Sequence, residues 1–217
     1  MGSIRLYAIA IGELRDFFAA PPELAARLRR VAATDFGEPK RTPSAGRLGQ
    51  LGPLVRVPPG APVVAPDVPT GVEVAQLLSG QYVPPHRRAA AWRLLASWLR
   101  AESWGRLVIE LDAAQLAAFD FDLSRAGVSS QFALGGTVRE GLGVPLSAVP
   151  GLAAGYVPGP GAKALAAAWR PVLPELTPEH RALGERVLDW LAGFDAWTAG
   201  AAAVGRPAPD LVVVLRF

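Results

Sequence analysis

The sequence predicts a protein of the α+β or α/β class, in which a small mixed sheet is packed by several amphipathic helices. Apolar runs of strand length lie at both ends of the chain, at residues 4–11 and 211–215, and Arg5 is the only charge in the first run. Between them, leucine and tryptophan recur every three or four residues, the spacing of helices that bury one face. Because both end runs are almost uncharged, we expect the two strands to pair in the middle of the sheet.

The first half of the chain carries four predicted helices, at residues 13–18, 22–33, 72–78 and 86–101. The last of these is the clearest, because Trp92 and Trp98 share one face with leucines and must be buried. A strand is expected at residues 107–111, where β-branched residues occur. Asp112 then has the side chain of a helix N-cap, which predicts a helix at residues 113–119.

The second half has weaker patterns because glycines interrupt it. Its predicted elements are a helix within residues 129–142, a strand at 155–157, a helix at 162–173 and a last long helix from 177 to 197. Thr177 offers the hydroxyl of an N-cap, and Pro178 suits the first helical position. Asp122 is also expected to cap a helix.

Residues 37–71 differ from the rest of the chain. Eight prolines occur among glycines there, and neither a helical nor a strand period is visible. Loops of this length in compact domains are typically functional or disordered. We therefore expect residues 1–217 to form a single globular domain with a Pro/Gly-rich loop at about 37–71.

Composition excludes several classes of site. The chain has no cysteine, which rules out disulfides, thiolate catalysis and cysteine-containing metal sites. Its two histidines are far apart in sequence, so we expect no metal and no cofactor. No apolar run approaches the roughly 20 residues of a membrane-spanning helix. A formal net charge of only +3 gives little reason to expect nucleic acid as a partner. These features favour a cytoplasmic protein.

One stretch has partial similarity to a phosphate-binding loop. Residues 155–163 lie between a predicted strand and a predicted helix, and they contain Gly161 and Lys163. Backbone amides and a lysine at a helix N-terminus attract anions. However, the glycine spacing differs from that of a phosphate loop, and Ala164 stands where a magnesium-binding hydroxyl is needed. A rigid connection is the alternative interpretation.

Three other residues are candidates for acid–base chemistry. Glu110 and Asp112 are two residues apart at the end of a predicted strand, where side chains at this spacing share a face. His180 stands in the first turn of the last helix and is the remaining candidate base. Structural roles compete with each of these, since Asp112 suits an N-cap and no nucleophile is placed beside His180.

The chain ends resemble a known group of proteins. A short strand followed by a helix opens the chain, and residues 187–194 lead through Gly205 into a valine-rich final strand. This arrangement resembles the YfbM-like proteins of unknown function and related uncharacterised actinobacterial proteins. The resemblance implies a small cytoplasmic α/β or α+β domain and supplies no catalytic residues.

Since no catalytic motif can be assembled, we expect a non-enzymatic protein-interaction module of an immunity or regulatory type. Its contact surface is predicted in the basic first quarter of the chain, at Arg41, Arg47 and Arg56. The protein partner is not identified by the sequence. The alternative is an enzyme or binding protein for a small anionic molecule.

Overall fold

The computed structural model describes residues 2–37 and 65–217. Its strands are β1 (Ser3–Ile9), β2 (Gly105–Glu110), β3 (Leu152–Val157) and β4 (Asp210–Arg216). The α-helices of the described residues are α1 (Ile11–Asp16), α2 (Pro22–Phe36), α3 (Gly71–Leu78), α4 (Arg88–Glu102), α5 (Ala113–Arg125), α6 (Gly159–Trp169), α7 (Pro178–Leu191) and α8 (Phe194–Ala203). Most of the Pro/Gly-rich stretch predicted as a loop lies outside the described residues.

The four strands form one sheet in the order β2-β1-β4-β3. The two terminal strands are its central pair, as the apolar runs at the chain ends predict, and the α+β fold class is confirmed. All three pairings are antiparallel, whereas the sequence suggested a mixed sheet. Strand β1 therefore has β2 on one side and β4 on the other, which places Arg5 in the interior of the sheet.

Helices cover both faces of the sheet. Alternate residues of β1 point to opposite sides: Leu6 packs in a core with α5, α6, α7 and α8, and Tyr7 packs in a core with α1, α2, α3 and α4. Burial on both faces explains why the end strands read as continuous apolar runs. Among the described helices, none combines the length and the apolar character required to cross a bilayer.

Local capping chemistry fixes where several helices begin. The Asp112 carboxylate accepts from the Gln115 amide at 2.9 Å, and the Gln115 side chain accepts from the Asp112 amide, which completes a capping box. The Thr177 hydroxyl accepts from the His180 amide at the start of α7. Both N-caps were predicted from the sequence, and both are confirmed.

A buried ion pair holds the chain segment that precedes α3. Glu73 is 2% exposed, and its carboxylate accepts from Arg87 Nε at 2.7 Å and from the Thr70 amide at 2.8 Å. Arg87 also donates to the Val68 carbonyl at 2.8 Å. These bonds fix the backbone beside Asp67, which lines the cavity described below.

Three local predictions were wrong. The helix within residues 129–142 is replaced by two 3₁₀ turns, because the backbone is extended at Ala133 and the Leu134 and Gly135 amides donate to Asp120 instead of to helical carbonyls. The last long helix is two helices, with Gly193 between α7 and α8. Asp122 does not cap its own helix, since it lies within α5.

Candidate functional site

A large cavity lies on the sheet face that carries Tyr7, between the sheet and helix α4. Its volume is about 1000 Å³, at the upper end of the range typical of small-molecule pockets. The sheet supplies the floor and α4 supplies the opposite wall. Asp35 and Phe36 at the end of α2, together with Asp67, complete the lining.

Three arginines cross the floor diagonally. Arg5 on β1 lies opposite Val108 on β2 and Val214 on β4. Arg106 is two residues before Val108, and Arg216 is two residues after Val214. Both are therefore diagonal neighbours of Arg5, with about 7–8 Å between Cα atoms. All three side chains line the cavity. We call Arg5, Arg106 and Arg216 the floor arginines.

The floor arginines lack acidic partners. In residues 2–37 and 65–217, none of the three forms an ion pair. The Nε atom of Arg5 is also buried, and the described residues provide no hydrogen-bond acceptor for it. A buried donor without a partner costs about 1–3 kcal/mol, so this arrangement is unfavourable for the empty protein.

The rim of the cavity is different, because its two arginines are paired. Arg93 contacts the carboxylate of Asp67 at 2.5 Å. Arg100 contacts the carboxylate of Asp35, which also accepts from the buried Ser97 hydroxyl. The cavity lining thus holds five arginines and two aspartates, and the unbalanced positive charge lies on the floor.

Tyr7 lies beside these arginines on the floor. Burial raises the pKa of its phenol above the ordinary value, while the charge of Arg5, a hydrogen bond with the Arg5 side chain, and the charges of Arg106 and Arg100 act in the opposite direction. Tyr7 is 2% exposed and neutral at physiological pH. It therefore offers a neutral hydroxyl in a strongly positive environment.

The side opposite the floor carries aromatic and apolar side chains next to the paired Arg93 and Arg100. Trp92 is largely buried, and its indole Nε1 donates to the Ser147 carbonyl at 2.9 Å, so its polar atom is satisfied. The Phe36 ring lies under the guanidinium of Arg93, with 5.9 Å between the guanidinium carbon and the ring centroid. The cavity therefore has the floor arginines on one side, and aromatic side chains beside two paired arginines on the other.

The candidate carboxylates Glu110 and Asp112 lie away from this cavity. Glu110 is exposed at the end of the edge strand β2, opposite Ser3. Asp112 is exposed and is engaged in the capping box of α5. The structure does not bring the two into a shared pocket with any other predicted site residue.

His180 forms a contact between two helices. Its Nδ1 lies 2.9 Å from Asp122 Oδ2, which also accepts from the Thr177 amide at 3.2 Å, and Asp122 Oδ1 accepts from Arg125 at 2.6 Å. The hydrogen bonds from His180, Arg125 and Thr177 lower the pKa of Asp122 to about 2. Asp122 thus connects α5 to the N-terminus of α7, and this pairing accounts for His180 structurally.

The predicted anion loop at residues 155–163 already has an acidic partner. The carboxylate of Asp210 accepts from the Gly159 amide at 2.9 Å and from the Ile11 amide at 2.8 Å, at the N-termini of α6 and α1. Gly161 lies in the first turn of α6, and Lys163 pairs with the exposed Asp195. These contacts make the loop a junction between two helices and the end of β4.

A second, smaller cavity of about 270 Å³ lies beside α5. Its charged lining consists of Asp120 and Arg139. Burial raises the pKa of Asp120, although the Leu134 and Gly135 amides both donate to its carboxylate at 2.9 Å and oppose the shift. Since both of its oxygens already accept hydrogen bonds, Asp120 mainly holds the loop that follows α5.

The remaining predicted site residues are Arg41, Arg47 and Arg56, which lie outside the described residues. Within the described part of the chain, no three His, Asp or Glu side chains are arranged to hold a metal ion. Sequence reasoning missed the floor arginines. The available signal was Arg5 itself, a charge inside a strand that is otherwise buried on both faces.

Comparison with known proteins gives one match. A family model described as a domain of unknown function, DUF7691, matches residues 75–215, about two thirds of the chain. That region includes Arg106 and excludes Arg5 and Arg216. No curated protein and no solved structure matches the chain. The resemblance of the chain ends to YfbM-like proteins therefore stays a prediction, whereas the model match shows that the chain belongs to the DUF7691 family.

Proposed function

We propose that this protein binds a small anionic molecule in the cavity above the floor arginines. The observation that carries the proposal is Arg5, a charged residue in a central strand whose Nε is buried with no acceptor among the described residues. Its two diagonal neighbours on the same floor, Arg106 and Arg216, are also arginines. An anion in the cavity supplies the acceptor and the negative charge that this arrangement lacks.

A structural role for Arg5 is the competing explanation. Structural arginines in protein interiors are normally paired with carboxylates or carbonyl oxygens. Arg87 and Arg206 illustrate this in the same protein, since they contact Glu73 and Glu13, respectively, at 2.7 Å. Arg5 has no comparable contact among the described residues, which favours a role in binding.

Arginine is also suited to this chemistry. Its planar guanidinium donates two parallel hydrogen bonds to a phosphate or carboxylate, and it stays charged at every physiological pH. Arg106 and Arg216 are exposed, whereas the buried Nε of Arg5 would interact with an anion more strongly than a fully solvated guanidinium does. The neutral Tyr7 hydroxyl adds a hydrogen-bond donor beside them.

The test is to measure the equilibrium binding of inorganic pyrophosphate by isothermal titration calorimetry. Arg5→Met and Arg106→Met each remove one floor guanidinium, and each should weaken binding at least about tenfold, the value expected for a hydrogen bond to a charged group. Arg29→Met is the matched control, because Arg29 is exposed on α2 and does not line the cavity. Its affinity should equal that of the wild type.

Absence of pyrophosphate binding to the wild type would contradict the proposal. Equal losses in Arg5→Met and Arg29→Met would contradict it as well, because they would show attraction to net charge without a site. Unfolding curves for each variant establish that it is folded before binding is compared.

The protein-interaction role of an immunity or regulatory type stays a prediction from the sequence. The arginines on which it rests, Arg41, Arg47 and Arg56, lie outside the described residues. Capture experiments with the full chain and with residues 37–71 deleted test it independently. A protein retained by the intact chain and lost with the deletion would support that role.

A further inference from the structure

The size of the cavity indicates a ligand larger than a simple anion. Its volume is about 1000 Å³. A phosphate group displaces a volume on the order of a few water molecules, each of which takes about 30 Å³ in the liquid. An inorganic anion on the floor would leave most of the cavity to solvent, so the ligand that fits it carries an organic body.

The charge of the floor indicates more than one negative group. Arg106 and Arg216 lie on opposite sides of Arg5, with about 7–8 Å between Cα atoms, so the three residues form a diagonal row. One carboxylate cannot contact both ends of such a row. A chain of linked phosphates carries several negative charges at intervals and can contact neighbouring guanidinium groups bidentately.

The residues at the rim indicate that the other end of the ligand is uncharged. The carboxylates of Asp35 and Asp67 lie there, each next to an arginine. They disfavour a second anion at the rim, and they can accept hydrogen bonds from hydroxyl or amino groups. The ligand is therefore expected to be anionic at the floor and uncharged at the rim.

The wall supplies the surface for the organic body. Phe36 and Trp92 line the cavity, and Leu99 on α4 extends the apolar lining on this side. The indole nitrogen of Trp92 is already bonded to Ser147, so the rest of this ring is available only for apolar contact. Stacking of a planar ring on aromatic side chains is strong and tolerant of the ring's identity.

Resting on the proposed function, we infer that the ligand is a polyphosphate ester of an aromatic ring system, with its phosphates on the floor arginines and its ring against Phe36 and Trp92. Nucleoside di- and triphosphates are the common molecules of this chemistry. Their hydroxyl and amino groups provide donors for the acidic rim.

A matched pair of probes separates the contribution of the ring from that of the phosphates. Adenosine 5′-triphosphate and inorganic tripolyphosphate have the same number of phosphorus atoms, and only the first has a ring. In metal-free buffer the wild type should bind the nucleotide at least about fivefold more tightly, the lower end of what stacking of one base contributes.

The variant Phe36→Leu tests where the ring binds. It keeps an apolar side chain and removes the aromatic face, so it should weaken nucleotide binding and leave tripolyphosphate binding unchanged. Phe121→Leu is the matched control, because Phe121 is 70% exposed and does not line this cavity. It should change neither affinity.

The outcomes distinguish this inference from the proposed function. Equal affinity of the wild type for the two probes, with loss of both in Arg5→Met, would overturn the aromatic-ring inference and leave anion binding in place. A loss of tripolyphosphate binding in Phe36→Leu equal to the loss of nucleotide binding would also overturn it. Failure of both probes to bind would overturn the inference together with the proposed function.

Discussion

Replacement of Arg5 by methionine should stabilise the empty protein. The Nε of Arg5 is buried with no acceptor among the described residues, and this costs about 1–3 kcal/mol. Methionine has a similar length, and its flexible apolar chain can pack between Val108 and Val214, the residues opposite Arg5 on the neighbouring strands. We expect the free energy of unfolding to rise by about 1–2 kcal/mol, which raises Tm by roughly 2–8 °C for a chain of this size.

Urea unfolding and thermal unfolding in anion-free buffer, both followed by tryptophan fluorescence, measure this change. Arg29→Met removes the same charge from an exposed position on α2 and should stay within about 0.5 kcal/mol of the wild type. Saturating pyrophosphate should reverse the order, because ligand binding stabilises only the protein that retains the site. A loss of more than 1 kcal/mol in Arg5→Met, with Arg29→Met unchanged, would show that Arg5 has a structural role and refute this reasoning.

Three further predictions concern the stability of the fold. Glu73→Gln should lower the free energy of unfolding by about 3 kcal/mol, because it leaves the charge of Arg87 unpaired in a buried environment. Asp122→Asn should lower it by about 1–2 kcal/mol through weaker hydrogen bonds at the start of α7. Gly155→Ala should be strongly destabilising, because its methyl group would collide with the Thr137 carbonyl oxygen. Urea unfolding measures all three.

The pH dependence of Glu73→Gln provides a second test with a defined sign. Burial alone would raise the pKa of Glu73, but hydrogen bonds from Arg87 and Thr70 outweigh it and lower the pKa from 4.5 to about 2. The carboxylate therefore contributes stability that is fully present above about pH 4.5 and is lost as the pH falls toward 2. The difference between the wild type and Glu73→Gln should shrink across this range; a constant difference would contradict the assignment.

The other two variants have similarly direct checks. The hydrogen bonds to Asp122 also lower its pKa, to about 2, so the stability it contributes should decline as the pH falls from about 4 toward 2. In Asp122→Asn the free energy of unfolding should therefore fall less between about pH 4 and 2 than it does in the wild type. An unchanged fall would contradict a stabilising role for the hydrogen bonds to Asp122. For Gly155→Ala the control is Gly12→Ala, since nothing lies within 4 Å of the added methyl there. Equal effects of the two alanines would contradict the steric argument.

The parts of the fold that were predictable depend on short-range chemistry. The N-caps at Asp112 and Thr177 need only a side chain and the next turn of helix. The uncharged terminal strands indicate burial on both faces wherever they pair. The helix predicted within residues 129–142 was wrong because Ala133 is extended and the next two amides donate to Asp120, a contact that the local sequence does not reveal.

The candidate site was not predictable because it depends on strand register. Arg5, Arg106 and Arg216 are widely separated in sequence, and they lie on one face only because of the pairings of β1 with β2 and β4. Shifting a register by one residue would move an arginine to the other face. The sequence-based candidates His180 and Lys163 instead contact Asp122 and Asp195, partners that their local sequence does not reveal.

The most direct test of anion binding at the floor observes Arg5 itself. Two-dimensional ¹H–¹⁵N spectra resolve arginine Nε–H groups, and Arg5→Met and Arg29→Met assign the resonances of these two residues by their disappearance. On titration with pyrophosphate, the Arg5 resonance should shift and saturate while the Arg29 resonance stays in place. If the Arg5 resonance does not move, or if both resonances drift together without saturation, the anion does not bind at the floor arginines.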